Sequence, residues 1–351
     1  MNTMMHSFPL HILLLVVLGG LFSFFGAPIA VMLAKKVGAI DEPNSALHKR
    51  HTKPMPLAGG FLAFAGSWFL FLLVLFWQYK PSFLAVLLGG IIVFLFGVID
   101  DIYGLSASQK FLGQAIASAI LIYAGVSVRF LETANLPLSP FSINILNQGL
   151  TLLWLIGITN AFNLIDSMDG LVAGLTFIIA SFFTFISFFS GQTTLALFSA
   201  ILIGLSLGLY VYNKEPAQFF LGDSGAQLFG FFLAAIAIIY RPPDLDPNST
   251  WFIPVLLLGV PIFDTTLVTL SRLRRRKPIF QADRAHTYHR LVDFGLRPGL
   301  AVLTIQASAL LLSFTALAIM YLPPVWAISL FALIMVIGVI LIIFFERTFH
   351  D

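Results

Sequence analysis

Apolar residues fall into eleven long runs separated by short polar segments, and this pattern predicts helices that cross a membrane. A spanning α-helix needs roughly 20 mostly apolar residues. The runs reach or approach that length and centre on 9–34, 57–77, 83–99, 111–128, 149–162, 170–190, 194–212, 224–240, 251–271, 299–321 and 325–345. The expected fold class is therefore all-α, a polytopic membrane bundle of about eleven helices that forms a single domain over residues 1–351.

The composition agrees with this prediction. Only 10% of the residues are charged, whereas a soluble domain carries about 25% charged residues, so a soluble globular protein is excluded. Because the sequence has no cysteine, a disulfide framework, a thiolate metal site and a cysteine nucleophile are excluded as well.

Lysine and arginine predict the orientation of the bundle. Sixteen of the 19 residues of these two types lie in odd-numbered connections or after the last run, and three lie in even-numbered connections. Cytoplasmic loops carry the excess of basic residues, so we expect the N-terminus outside and the C-terminus in the cytoplasm. Acidic residues crowd the same side, although acids contribute little to that rule. The predicted active-site loops are 35–56, 100–110, 163–169, 213–223 and 272–298.

Asp100 and Asp101 end the third run. Two carboxylates at a helix C-terminus repel each other and face the negative end of the helix dipole, so a cation must offset them. The pair is either a solvated helix end paired with Lys110, or a base or metal-linked carboxylate. Both interpretations stay open on these residues alone.

Two further polar clusters lie on the same predicted side. Asn163, Asp166 and Asp169 recur every three residues within NAFNLIDSMDG, which places them on one side of a helix. Asp223, in FLGDSG, opens the eighth run and is either a helix N-cap or a functional carboxylate. Asn213 closes the preceding run, so the loop between the two runs can bring an amide and a carboxylate together.

Basic residues and histidines occupy the first and the longest of these loops. Arginine offers forked donors and histidine offers neutral or charged ones, and both suit a diphosphate. A zinc site is a weaker interpretation because the histidines lack a third ligand, and Mg²⁺ with oxygen ligands suits the acid-rich remainder better. The residues therefore indicate phosphoryl or phosphosugar transfer to or from a lipid. The basic candidates are Arg50, His51, Arg272, Arg284, His286 and His289.

Taken together, these motifs resemble the polyprenyl-phosphate N-acetylhexosamine-1-phosphate transferase superfamily, and most closely its bacterial undecaprenyl-phosphate N-acetylglucosamine-1-phosphate transferases. The resemblance runs in order from about residue 41 to residue 297 and includes DEPN, the DD pair with its later lysine, NAFNLIDSMDG, FLGDSG, FDT and the two spaced histidines. Each motif alone is weak, and their joint occurrence is specific.

The resemblance implies a role for each candidate residue. It implies catalytic roles for Asp100, Asp101, His286 and His289, and Mg²⁺ coordination by Asp223 with Asn213 beside the metal. It implies substrate binding by Arg50, His51, Lys110, Asn163, Asp166, Asp169, Arg272 and Arg284. Relatives usually read His-x-His-His where this chain has Tyr288 between its two histidines. We expect Tyr288→His to be tolerated, and the histidine loop to be mobile until the donor binds.

The resemblance also implies the substrates and the location. The donor is a UDP-N-acetylhexosamine, the acceptor is undecaprenyl phosphate in the membrane lipid, and the cofactor is Mg²⁺ with Mn²⁺ as a substitute. The enzyme lies in the bacterial inner membrane with its active site on the cytoplasmic face, starts glycans such as O-antigen or teichoic acid linkage units, takes no nucleic acid, and forms a homodimer.

Two alternatives remain at this stage. The reaction proceeds either by direct attack of the lipid phosphate, with Asp100 orienting it, or through a covalent phosphosugar on an aspartate.

A secondary transporter is the main rival class of protein, but it would place ionisable groups near mid-membrane in repeated halves. A membrane scaffold would not need the acid clusters.

Overall fold

The protein, seen in a computed structural model, is described over residues 2–43, 53–133, 137–243, 250–278 and 285–348. Nearly all regular structure in these ranges is α-helical, which confirms the all-α fold class. The chain forms two compact units, Met1–Pro243 and Asp244–Asp351. That the two act as a single transferase domain stays a prediction.

The first unit contains eight α-helices and one short 3₁₀ helix within its described residues. The helices are α1 Asn2–Val37, α2 Gly59–Trp77, α3 Pro81–Tyr103, α4 Ala107–Tyr123, the 3₁₀ helix Phe130–Thr133, α5 Pro140–Ile165, α6 Leu171–Phe189, α7 Thr193–Asn213 and α8 Gly222–Ile239. The second unit contains α9 Phe252–Leu257, α10 Gly259–Arg274, α11 Thr287–Asp293, α12 Pro298–Ile319 and α13 Pro324–Thr348.

Every predicted apolar run is helical, but in the described ranges nine helices, not eleven, are long and apolar enough to cross a membrane. The fourth run forms α4, which has only 17 residues. The ninth run is divided at Leu258 into α9 and α10. Pro261 explains the division, because a proline has no N–H to donate to Leu257 and so interrupts the helical ladder there. The protein is a multi-pass membrane protein, and its orientation stays a prediction.

Helix α8 is the centre of the first unit, where it packs against α2, α3 and α5. Its residues are buried on every side, as expected for a helix enclosed by other helices. The contact with α3 is especially close at Gly97, where an added Cβ would lie 2.4 Å from the Ser224 Cα. Only glycine allows this approach, which sets the C-terminal end of α3 against the first turn of α8.

A small strand pairing holds the segment that precedes α8. Strand β1 (Ile40–Asp41) pairs antiparallel with β2 (Met55–Pro56). The Phe220 N–H donates to the Pro56 carbonyl at 3.0 Å, and the Gly59 N–H donates to the Phe220 carbonyl at 3.1 Å. The start of α2 and the entry to α8 are therefore joined by backbone hydrogen bonds.

In the second unit, α12 packs against α9, α10, α11 and α13. Helix α13 is apolar and largely exposed, with only 6% of its most apolar stretch of residues buried. An exposed apolar helix of 25 residues suits a lipid-facing position.

Candidate active site

Five predicted carboxylates of the first unit, together with Lys110 and Asn163, converge at one end of its helices. We call this group the acid cluster: Asp100, Asp101, Lys110, Asn163, Asp166, Asp169 and Asp223. At its centre, the Lys110 ammonium bridges two carboxylates from different helices. Its Nζ pairs with Asp100 Oδ2 and lies 2.8 Å from Asp223 Oδ2. Asp100 is buried and also accepts a 2.7 Å hydrogen bond from the Leu105 N–H, whereas 36% of the Asp223 side chain is exposed.

Asp101 has a different environment from its neighbour. Its carboxylate accepts hydrogen bonds from the Asp223 N–H at 2.7 Å, the Ser224 N–H at 3.2 Å and the Ser224 hydroxyl at 2.6 Å. The four N-terminal N–H groups of a helix have no partner within the helix. Asp101 on α3 therefore caps α8. The N-cap residue itself, Leu221, has no polar side chain that could accept these hydrogen bonds.

Gly222 allows this interhelical cap. Its φ is +76°, in the left-handed region, and an added Cβ would lie 2.9 Å from Asp101 Oδ2. A side chain here would be strained and would collide with the capping carboxylate. The glycine before Asp223 is thus required for the approach of Asp101 to the helix end.

The segment after α5 supplies the remaining acids. Burial raises the pKa of the Asp166 carboxyl well above its usual range, and the charges of Asp223, Asp101 and Asp169 raise it further. A cation that binds nearby would favour the charged form of such a carboxyl, so this environment suits a cation. Asp169 Oδ2 accepts a 3.0 Å hydrogen bond from the Ala217 N–H, which ties it to the loop between α7 and α8.

Asn213 is buried and holds the same loop. Its Oδ1 accepts from the Gly170 N–H at 3.1 Å, and its Nδ2 donates to the Phe219 carbonyl at 3.2 Å. Both ends of the amide are thus bonded to backbone, which makes Asn213 an organiser of the loop. The predicted place beside a metal finds no support in these contacts.

The acid cluster fits a hard divalent cation in its donor chemistry. Across the described ranges, no group of three or more His, Cys, Asp or Glu side chains forms a metal-holding arrangement. Mg²⁺ does not need one, because it is usually held by one or two carboxylates and completed by water and substrate phosphate. Asp100 and Asp223 already direct one oxygen each at a shared positive charge, that of Lys110.

In the second unit the predicted histidine is bonded to an acid of its own unit. His286 Nδ1 lies 2.8 Å from Asp264 Oδ2, and the Thr287 N–H donates to Asp264 Oδ1 at 2.7 Å. His286 and Asp264 are both buried. A carboxylate on Nδ1 fixes the orientation of the imidazole and leaves Nε2 as its other polar atom.

The same segment is anchored by Arg290, which is 2% exposed. Its guanidinium donates to the Ala285 carbonyl at 2.8 Å, the Ser271 hydroxyl at 3.1 Å and Glu346 Oε1 at 2.7 Å. We call residues 285–293 the histidine segment. Its buried side chains hold it in place, so over these residues we expect order before the donor binds, contrary to the mobile loop expected from the sequence.

Comparison of the sequence with known proteins places the chain in a family. Residues 83–241 match the model of glycosyl transferase family 4. Over 295 residues the chain is 34% identical to a probable undecaprenyl-phosphate N-acetylglucosaminyl 1-phosphate transferase of Bacillus subtilis (strain 168), covering 83% of this chain and 80% of that protein. The chain belongs to this family.

Other relatives agree. The chain is 31% identical over 309 residues to the undecaprenyl-phosphate alpha-N-acetylglucosaminyl 1-phosphate transferase of Escherichia coli (strain K12), covering 85% of this chain and 80% of that protein. It is 32% identical over 308 residues to the decaprenyl-phosphate N-acetylglucosaminephosphotransferase of Mycobacterium tuberculosis (strain ATCC 25618 / H37Rv), covering 78% and 74%. The family resemblance read from the motifs is confirmed.

For this family 4 member, the structure brings together the predicted residues of α3, α4, α5 and α8. Arg272 and His286 are buried in the second unit, and the role of each toward a substrate stays a prediction, as does that of His289. Arg50, His51 and Arg284 lie outside the described residues.

Some residues that shape the site were missed. Ser224 donates to Asp101, and Asp264 orients His286. Three amides, Gln114, Asn160 and Gln227, form a second polar group beside the acid cluster. A signal for two of them was present, because Gln114 and Gln227 each follow a site residue by four positions and so share its helix face.

Proposed function

We propose that this family 4 member transfers N-acetylglucosamine 1-phosphate, or a related N-acetylhexosamine 1-phosphate, from the UDP-sugar to undecaprenyl phosphate. The products are UMP and a polyprenyl-diphosphate-linked sugar that starts a cell-surface glycan. The observation that carries the proposal is the acid cluster, in which Asp100, Lys110 and Asp223 from three helices meet at one point. The names of the relatives from Bacillus subtilis and Escherichia coli support the same reaction.

The charges of the cluster suit two phosphate substrates. A phosphate monoester has a second pKa of about 6, so the lipid acceptor is largely a dianion near neutral pH. It needs positioning and charge screening more than it needs a strong base. Lys110 supplies a positive charge next to Asp100, and we propose that Asp100 orients the acceptor or removes its residual proton.

We propose Mg²⁺ as the cofactor, with Mn²⁺ as a substitute, held by Asp223, whose side chain is partly exposed. A bound Mg²⁺ would neutralise the charge that develops on the departing UMP. Asp169 adds negative charge to the cluster, whereas the raised pKa of Asp166 favours the neutral form of that carboxyl until a cation binds nearby. The donor diphosphate would supply oxygen ligands that the protein leaves open, as is usual for Mg²⁺ sites.

We also propose an inner-membrane enzyme whose acid cluster faces the cytoplasm, where UDP-sugars are made, and which assembles as a homodimer. The excess of basic residues in the odd-numbered connections supports this orientation. Because the chain has no cysteine, Lys214→Cys and Tyr123→Cys can be labelled singly; both positions are exposed. An impermeant thiol reagent should label position 123, and not 214, from outside intact cells. The opposite pattern would overturn the orientation.

The activity is tested with purified protein in liposomes. We expect UMP release from UDP-N-acetylglucosamine that requires both undecaprenyl phosphate and a divalent cation, and that EDTA abolishes. Asp223→Asn serves as the inactive control. Sugar-nucleotide uptake into the liposomes without UMP release would instead support a transporter. A parallel assay with UDP-N-acetylgalactosamine determines the donor sugar.

A further inference from the structure

A second polar layer lies beside the acid cluster, made of side-chain amides from three helices. The Gln114 side chain on α4 donates to Gln227 Oε1 on α8 at 3.0 Å and to Asn160 Oδ1 on α5 at 3.4 Å. In return, Asn160 Nδ2 donates to Gln114 Oε1, and also to the Ile156 carbonyl at 2.9 Å. Gln114 and Gln227 are each 2% exposed. We call the three residues Gln114, Asn160 and Gln227 the amide layer.

The amide layer is in register with the acid cluster along the same helices. Gln114 follows Lys110 by four residues on α4, and Gln227 follows Asp223 by four residues on α8. Residues four apart lie on one helix face, about 6 Å apart along the axis. Helices α4 and α8 are thus joined twice. Lys110 pairs with Asp223, and one helical turn later along each helix Gln114 bonds to Gln227.

We propose that Gln114 and Gln227 are positioning residues that fix the register of α4 against α8, so that the Lys110 ammonium stays on the line between Asp100 and Asp223. The proposal rests on the transferase function proposed above. Neither glutamine contacts a reacting group; each acts through the charged residue one turn away on its own helix.

Two physical arguments support a positioning role over a purely stabilising one. In a membrane bundle, apolar side chains at these positions would pack about as well as amides, because helix association does not depend on burying apolar surface from water. Buried amides are costly unless they are paired. A paired set therefore favours one register over neighbouring ones, as a single buried asparagine does in a coiled coil.

The experiment separates register from stability with volume-matched replacements. Gln227→Met leaves the Gln114 amide short of an acceptor and should lower the thermal midpoint. The double variant Gln114→Met/Gln227→Met removes both glutamines, leaves Asn160 bonded only to the Ile156 carbonyl, and should recover part of that midpoint. We expect its kcat to stay about 10- to 100-fold below wild type, since small misplacements of catalytic groups cost that much. The KM for the sugar nucleotide should change little.

A double-mutant cycle tests whether Gln114 affects catalysis by positioning Lys110. If Gln114 acts by placing Lys110, Gln114→Met should lower kcat in the wild-type background and have little further effect in a Lys110→Ala background. This arm uses Gln114→Met as its only amide change, so it stays informative if the double methionine variant fails to fold. Independent, multiplicative losses in the cycle would overturn the proposal.

Asn147→Leu is the control, because Asn147 is a buried amide on α5, 13 residues before Asn160, whose side-chain atoms have no hydrogen-bond partner among the described residues. It should change the thermal midpoint without changing kcat. A double methionine variant with wild-type kcat, measured beside an active wild type, would reduce the amide layer to a stabilising role. A wild-type protein without UMP release would instead refute the proposed function.

Discussion

The acid cluster and the histidine segment are both rich in charged residues, but the balance between acids and bases differs between them. In the acid cluster five carboxylates accompany a single lysine, and the pKa of Asp166 is raised first by burial and then by three acidic neighbours. Around the histidine segment, acids face bases: Asp264 pairs with His286, and Glu346 pairs with Arg290. A group of like charges is costly to keep and marks a functional site, whereas matched pairs are also what a structural anchor needs.

The two regions also differ in how exposed their charged side chains are. A third of the Asp223 side chain is open, so it can meet a cation or a substrate. Arg290 is almost fully buried and has its guanidinium bonded to three groups of its own unit. Charge in a loop between apolar helices is therefore a weak indicator of substrate contact until the partners of each group are known.

The strongest test of this contrast is Asp223→Asn, which removes a charge and keeps the shape. We expect kcat/KM to fall about 1000-fold, equivalent to about 4 kcal/mol. The thermal midpoint should hardly change, because Asp101 and not Asp223 caps α8. An Asp223→Asn variant that stays active and has a lowered midpoint would return Asp223 to a structural role.

In the histidine segment the corresponding change should affect folding first. Arg290→Met leaves the buried Glu346 without its closest partner and should cost about 3 kcal/mol of unfolding free energy. Denaturant unfolding in detergent measures it. Adding Glu346→Leu should recover part of the loss, since an apolar pair can replace a buried ion pair. A single variant as stable as wild type would show that the segment is not anchored by this pair.

A third comparison lies inside the acid cluster, between two adjacent residues. Asp101→Ala removes the acceptor of three hydrogen bonds at the start of α8 and should cost about 1 to 3 kcal/mol of stability. Asp100→Asn should instead lower kcat with little loss of stability. Thermal midpoints and kcat values measured side by side decide this, and matching profiles for the two variants would contradict it.

The smallest effect concerns Tyr288, which is buried. Contrary to the expectation from the motif, Tyr288→His should cost about 1 kcal/mol, because a smaller polar ring leaves part of that buried space unfilled. The thermal midpoint should fall by a few degrees while the KM for the sugar nucleotide stays the same. An unchanged midpoint would support the tolerance expected from the motif.

The helices were largely predictable, because a membrane demands long apolar runs and the sequence shows them plainly. There are two exceptions: α4 is too short, and the ninth run is divided at Leu258, three residues before Pro261. The convergence of the acid cluster was also expected, since its members lie at run ends on the same predicted side.

The division of labour inside the cluster was not predictable. Sequence spacing offered a cap role for Asp223, yet Asp101 provides that cap from 122 positions earlier. Asn213 bonds to the backbone of two segments, which its position at the end of a run did not indicate, and its place beside a metal stays a prediction. Both outcomes depend on which groups meet across helices, and such meetings leave no local pattern in the chain.

The cap that α3 lends to α8 also bears on how the protein is made. Asp101 emerges from the ribosome long before Gly222, so we expect α8 to enter the bilayer before its first N–H groups have bonded to this acceptor. Those groups find it only when the two helices dock at Gly97. Docking therefore also fixes the backbone of Asp223, so we expect a chain caught before this step to hold its helices in the membrane and yet be catalytically silent.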